Sequence, residues 1–169
     1  MILRKLNKKD APFMLEWMHD SDVTYYLRND FANMRLEDCE LFIKKSESDL
    51  NNIHYAVCNN MDEYMGTISL KNINKRDATA EYAVSFRKCS IGKGLAKEAT
   101  KEILRIAFDD LQLNRIYLDV LCDNKRALRF YEKIGFIKEG IWKEHFYLHG
   151  KYRDVLWLRL LRSEWENEL

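Results

Sequence analysis

The sequence predicts an α/β fold: a mixed, mostly antiparallel sheet of six or seven strands with helices on both faces. Three observations carry that expectation. Short apolar and β-branched runs, among them residues 80–86 and 116–121, alternate with stretches whose apolar residues recur at helical spacing. Turn residues punctuate these segments, with no repeat and no linker rich in Pro, Gly or Ser. A chain of 169 residues, 47% apolar and 33% charged, can bury one sizeable core, so a single domain over 1–169 is expected.

The elements follow in order. Residues 1–6 read as a first strand. Asp10 is placed to cap a helix with Pro12 in its first turn and Phe13, Met14, Trp17 and Met18 as apolar residues. After a short piece at 23–27, a second helix spans Leu36 to Ser48, with Cys39, Leu41, Phe42 and Ile43 apolar. Strands at 53–58 and 64–70 are joined by the polar turn 59–63. The strand at 80–86 leads to a Gly-Lys-Gly turn, and a helix runs from there to about Leu111. On it Ala96, Ala99, Ile103, Ile106 and Ala107 share a face, while Arg105 is spaced to pair with Asp109 outside. After the strand at 116–121, Asp123 or Asn124 caps a helix that Gly135 ends. A final hairpin folds 141–148 onto 152–161 about His149-Gly150-Lys151, with Gly150 taking positive φ.

Composition excludes several functions. A net charge of +1 offers no field for nucleic acid, and no apolar run is long enough for a membrane span. No signal-peptide core follows the first strand, so a cytoplasmic location is expected. The four cysteines, at 39, 58, 89 and 122, form no Cys-x-x-Cys pair, and the four histidines add no ligand spacing. Reduced thiols and no metal site are the plain reading.

Two segments carry chemistry. Glycines at a helix start let backbone N–H groups converge on an anion, where the helix dipole also favours negative charge. The turn Ile91-Gly92-Lys93-Gly94-Leu95-Ala96 has that form, yet it is no Walker loop, because neither Ser nor Thr follows the lysine. In the helix after residue 124, Asn124, Ala127, Tyr131 and Ile134 share one face, with Lys125, Arg126, Arg129, Glu132 and Lys133 on the wet side. A carboxamide and a phenol aimed inward at a strand–helix junction need partners.

Strand, Gly-Lys-Gly turn, long helix, second strand and Asn–Tyr helix together resemble the GNAT superfamily of acyl-CoA N-acyltransferases, over nearly the whole chain. The pyrophosphate loop of that family, Gln/Arg-x-x-Gly-x-Gly/Ala, corresponds to residues 91–96, with Ile91 departing from the usual polar first residue. The Asn-x-x-Ala-x-x-x-Tyr-x-x-x-Gly-Phe signature is intact from Asn124 to Phe136. The resemblance implies acetyl-CoA as co-substrate and a splay between two central strands where it enters. It places Val84, Phe86, Ile91, Gly92, Lys93, Gly94, Leu95, Ala96, Asn124, Ala127 and Tyr131 on the cofactor. Asn124 would touch the pantetheine arm, and Tyr131 would approach the sulfur as general acid.

Acyl transfer to an amine explains why such groups are wanted. An alkyl ammonium with a pKa of ~10 must lose a proton before it attacks a thioester, and a carboxylate can accept it, directly or through water. Glu81 alternates with Ala83 and Ser85 on a strand that borders the acceptor site in many GNATs, which makes it the candidate general base or amine ligand, set against a solvated edge residue. A backbone N–H of the same strand can hold the oxyanion, and Tyr131 can help the thiolate leave. Direct attack needs no covalent enzyme intermediate; Cys89 and Cys122 flank the cofactor strands, but no histidine stands near them in sequence to activate either.

The acceptor is less constrained. The tail, Glu139-Gly140-x-x-x-Glu144-x-Phe146 followed by Gly150-x-Tyr152-x-Asp154, resembles the polyamine and ribosomal-protein acetyltransferase branches. Polyamine enzymes of that branch carry an acid-rich stretch after the first helix, whereas residues 25–35 hold one carboxylate, Asp30, against Arg28 and Arg35. Tyr25, Tyr26, Arg28 and Asp30 therefore suit an amino sugar or its nucleotide conjugate, unless Tyr25 and Leu27 simply pack on the sheet. The alternatives are a polyamine, a ribosomal-protein N-terminus and, from another class, a CoA-binding regulatory module without turnover. The expected partners are a small amine and further copies of the chain as a homo-oligomer, without nucleic acid or membrane.

Overall fold

Seven strands join in one sheet, in the order β1-β2-β3-β4-β5-β7-β6, in a computed structural model that describes residues 1–166. Residues 167–169 of the expected domain lie outside the described residues. The strands are β1 Ile2–Lys5, β2 Ile53–Cys58, β3 Tyr64–Asn74, β4 Thr79–Phe86, β5 Arg115–Leu121, β6 Ile137–Leu148 and β7 Lys151–Leu161. Every neighbouring pair is antiparallel except β4 and β5, which run parallel. This is the mixed, mostly antiparallel sheet that the sequence predicts.

Helices cover both faces because successive strand residues point to opposite sides. Val57, Ile68, Leu70, Ile116 and Leu118 pack under α4 Leu95–Arg105 and α5 Lys125–Ile134. Ala56, Cys58 and Tyr64 pack on the other side, under α1 Ala11–Met18 and α3 Leu36–Ser46. The buried Tyr64 hydroxyl accepts from Trp17 Nε1 at 3.1 Å and pairs with Thr67 Oγ1 at 2.7 Å, so neither polar tip is left unsatisfied in that core. Two four- to five-residue helices, α2 Ser21–Thr24 and α6 Arg162–Glu166, complete the set.

Several local expectations are corrected. Asp10 does not cap α1 with its side chain; Asn7 caps a preceding 3₁₀ turn, and the Asp10 carboxylate accepts from Asn7 N and from both Arg4 Nη atoms, each at 2.8 Å. A bidentate guanidinium neutralises a carboxylate that is 1% exposed, which a capping N–H alone would not. The helix after Gly94 changes at Ile106 into a π turn ending at Asp110. The wider turn carries position i+5 to where i+4 would lie, so Arg105 pairs with Asp110 and Glu102, not with Asp109. Asp123 pairs with Arg153, leaving the cap of α5 to Asn124. In the β6–β7 hairpin, both His149 (φ 51) and Gly150 (φ 77) are left-handed, the two-residue turn whose twist matches the strands. No described helix is long and apolar enough to cross a membrane.

Candidate active site

β4 and β5 pair only at Thr79–Arg115, Ala80–Ile116 and Glu81–Tyr117. Beyond that point β4 continues to Phe86 while β5 stays with β7 as far as Leu121, so the two central strands diverge. The β5-facing backbone groups of β4 past Glu81 are thereby left without a strand partner and free for a ligand. A cleft of about 640 Å³ occupies the fork, with Val84 and Phe86 on one wall and Asp119 and Val120 on the other. Phe86 lies against Gly66, where a Cβ would come within 2.5 Å of Phe86 Cδ1 and of Ser85 O. That glycine permits the close approach of β3 to the cleft wall.

One end of the cleft meets the start of α4. Ile91 and Ala96 line it. Between them, Gly92 and Gly94 take φ of 81° and 78°, which an L side chain rarely adopts, and Gly94 is the residue preceding the helix. The amides of Leu95 and Ala96, in the first turn, have no carbonyl to reach within the helix and remain available to an anion. Gly92, Lys93, Gly94 and Leu95 are not among the residues that line the cleft. The buried Tyr82 hydroxyl donates to Thr100 Oγ1 at 2.8 Å, and Thr100 donates onward to Ala96 O at 2.6 Å, which ties the first turn of α4 to β4.

From α5, Asn124, Ala127, Phe130 and Tyr131 line the cleft. Asn124 Oδ1 accepts from Ala127 N at 3.1 Å, the expected cap, and its Nδ2 is left to donate elsewhere. Gly135 (φ 108) ends the helix, and Phe136 N returns to Tyr131 O at 3.0 Å. The Tyr131 ring is fixed edge-on by Tyr82, Phe130 and Phe136 at centroid distances of 5.9, 5.4 and 5.8 Å. Its hydroxyl makes no hydrogen bond among the described residues. Burial, with the Asp119 charge adding to it, pushes the phenol well above its ordinary pKa, so it holds its proton at neutral pH.

The opposite face of the sheet contributes carboxylates. Glu81 is not a solvated edge residue: Oε1 accepts from Lys71 Nζ at 2.6 Å and Oε2 from Asn72 Nδ2 at 2.8 Å. Asp119 faces the same side two residues past the last β4–β5 pair, and burial raises its carboxyl while the Arg28 charge opposes that rise. The fork thus joins Tyr131 from the α5 side with Glu81 and Asp119 from the other. Sequence reasoning missed Asp119; a lone carboxylate between Leu118 and Val120, in a strand otherwise apolar there, was the available signal.

The acceptor residues separate. Tyr26 and Arg28 line the cleft, whereas Tyr25 and Asp30 do not. Tyr25 stacks on His149 at 4.5 Å and packs edge-on against Tyr26, and Asp30 accepts from Asn33 Nδ2 at 2.6 Å. Arg35 sits in the residue before α3, outside the cleft, where its N donates to Asp38 Oδ2. Burial raises the Cys122 thiol, which opposes a thiolate nucleophile there. Among the described residues, no group of three His, Cys, Asp or Glu side chains is arranged to hold a metal ion.

A family profile described as the Acetyltransferase (GNAT) domain matches residues 1–137. The chain is similar to the spermidine N(1)-acetyltransferase of Vibrio cholerae, 27% identical over 168 residues, which is 99% of this chain and 96% of that protein. It is also similar to a Bacillus subtilis protein provisionally named a ribosomal N-acetyltransferase, 30% identical over 125 residues, 74% of this chain and 68% of that one. A crystal structure of spermidine N-acetyltransferase from Vibrio cholerae, in complex with CoA and spermine, superposes with a TM-score of 0.90 at 27% identity, covering 98% of each chain.

Proposed function

The chain belongs to the acetyltransferase (GNAT) family and is an acetyl-CoA-dependent N-acetyltransferase, and on that premise we propose that its acceptor is a primary amine of a linear polyamine of the spermidine type. The observation that carries this reading is Asp119, a carboxylate lining the cleft that no described donor hydrogen-bonds, beside Glu81, which Lys71 already pairs. The relatives named for spermidine support it over the amino sugar that the acid-poor loop suggested. That suggestion rested on repulsion by Arg28 and Arg35. Arg35 lies outside the cleft, and the charge of Arg28 is offset by Asp119 at 4.0 Å.

Acetyl-CoA supplies the acetyl thioester. The residues present fit it: the fork leaves backbone groups of β4 unpaired, and the Gly92–Gly94 turn exposes first-turn amides of α4 to a pyrophosphate. Asn124 Nδ2 is free to donate to the pantetheine arm. Tyr131 Oη holds the proton that the departing thiolate takes up, and an N–H of β4 beyond Glu81 stabilises the oxyanion. Glu81 receives the proton of the acceptor ammonium through a water. A neutral amine then attacks, and no acyl-enzyme forms.

The test is thiol release from acetyl-CoA with a panel of amines. Saturable release with spermidine is the expected result. Release confined to amino sugars would restore the first reading, and release confined to a ribosomal-protein N-terminal peptide would favour the acceptor named for the Bacillus relative. CoA binding without release on any amine would leave a regulatory module.

A further inference from the structure

Asp119 is a carboxylate without a hydrogen bond. Its side chain is 15% exposed and faces the cleft, yet its oxygens accept from no donor among the described residues. The paired cation is Arg28, whose Nη2 stands 4.0 Å from Asp119 Oδ1, beyond hydrogen-bond length. The guanidinium also lies over the Phe146 ring, with Cζ 3.7 Å from the centroid. Arg28 itself donates to no acceptor among the described residues and is 51% exposed. A partly buried carboxylate and an aromatic face thus flank one loosely held internal cation.

Arg28 belongs to an irregular stretch after α2 that is docked on the β6–β7 turn. His149 Nε2 lies 2.7 Å from Tyr25 O, and the two rings stack. The stretch is therefore held at Tyr25, by a contact separate from those that Arg28 makes to Asp119 and Phe146.

We propose that Asp119 and Phe146 bind the non-reacting ammonium of a di- or polyamine acceptor, and that Arg28 is an internal stand-in which the acceptor displaces. The proposal rests on the polyamine reading and adds to it where the second charge goes. A half-exposed ion pair at this separation contributes little, so its displacement costs little. An alkylammonium in the same place gains a charge-assisted hydrogen bond to Asp119, which Arg28 lacks, and keeps the attraction of the ring face. A monoamine has no second charge to place there. Selectivity for polyamines over monoamines follows because only a second ammonium can pair with Asp119 while the reacting amine is deprotonated at Glu81.

The experiment compares KM and kcat for spermidine and for n-butylamine in the unmodified protein, Asp119→Asn and Arg28→Met. Asp119→Asn should raise the spermidine KM about ten-fold or more, in line with loss of a charge-assisted contact, and move the butylamine KM far less. Arg28→Met should lower the spermidine KM relative to that for butylamine. Equal losses on both amines in Asp119→Asn would place Asp119 in the proton transfer or the scaffold and overturn the proposal, as would an unchanged or raised spermidine KM in Arg28→Met. Should Asp119→Asn fail to fold, seen as the loss of a cooperative thermal transition, Phe146→Leu provides the same comparison with the same expected direction. An unmodified protein that acetylates other amines and never spermidine would overturn the polyamine reading itself, and the proposal with it.

Discussion

Lys71 stands directly opposite Glu81 in the β3–β4 ladder and donates its ammonium to Glu81 Oε1 at 2.6 Å. With Asn72 on the other oxygen, the carboxylate is held in one orientation at the fork of the two parallel strands. Glu81→Gln keeps the size and an acceptor for Lys71 but cannot take a proton. It should lower kcat by about 10²–10⁴, the usual worth of a general base, with CoA affinity within a few-fold. Steady-state kinetics with calorimetry checks both numbers; full kcat would remove Glu81 from the chemistry.

Tyr131→Phe deletes one hydroxyl that makes no hydrogen bond among the described residues and keeps the ring contacts with Tyr82 and Phe136. Thermal stability should therefore hardly move. If the phenol protonates the leaving thiolate, kcat should fall on the order of 10²–10⁴. An active Phe variant across the pH range would make Tyr131 a wall of the cleft and nothing more.

Gly94→Asp tests the cofactor turn. The backbone there is left-handed, which Asp tolerates better than most residues, and a Cβ would meet nothing within 4 Å. The fold should hold. A carboxylate among the first-turn amides proposed to hold the pyrophosphate should weaken CoA binding by about ten-fold or more. Calorimetric affinity equal to that of the unmodified protein would move the phosphates elsewhere.

His54 gives the stability a pH dependence. Its half-buried ring lies 2.7 Å from Ser69 Oγ through Nδ1 and edge-on to Phe42, and burial lowers its pKa below 6.5. In the unfolded chain the imidazole takes up its proton near pH ~6.5, before the folded one does. Stability from this group is present above that pH and is lost as pH falls toward the folded value. The urea midpoint should drop between pH 7.5 and 5.5 more steeply in the unmodified protein than in His54→Gln; parallel slopes would exclude His54 as the cause.

The half of the candidate site built from contiguous chain was legible in the sequence as local geometry. The glycines before α4, the Asn124 cap, the Gly135 stop and the inward Tyr131 are set by turn geometry and helical spacing within a few residues. The acceptor half was not. Asp119 reads as an isolated polar residue in a strand, and nothing local says that β4 leaves β5 two residues earlier. Arg28 argued against a polycation only while Phe146 and Asp119, 118 and 91 residues further on, stayed out of view.

By itself the sequence determined six or seven strands and the main helices that cover them, because periodicity, caps and turns are short-range chemistry repeated along the chain, and the motifs at 91–96 and 124–136 carried the resemblance to the family. The tertiary structure alone decided which charges meet. Lys71 neutralises Glu81, Arg28 shields Asp119, and Asp10 is held by Arg4 instead of capping a helix. Coulombic partners are chosen by distance in space and by burial, and neither quantity is written in residue order.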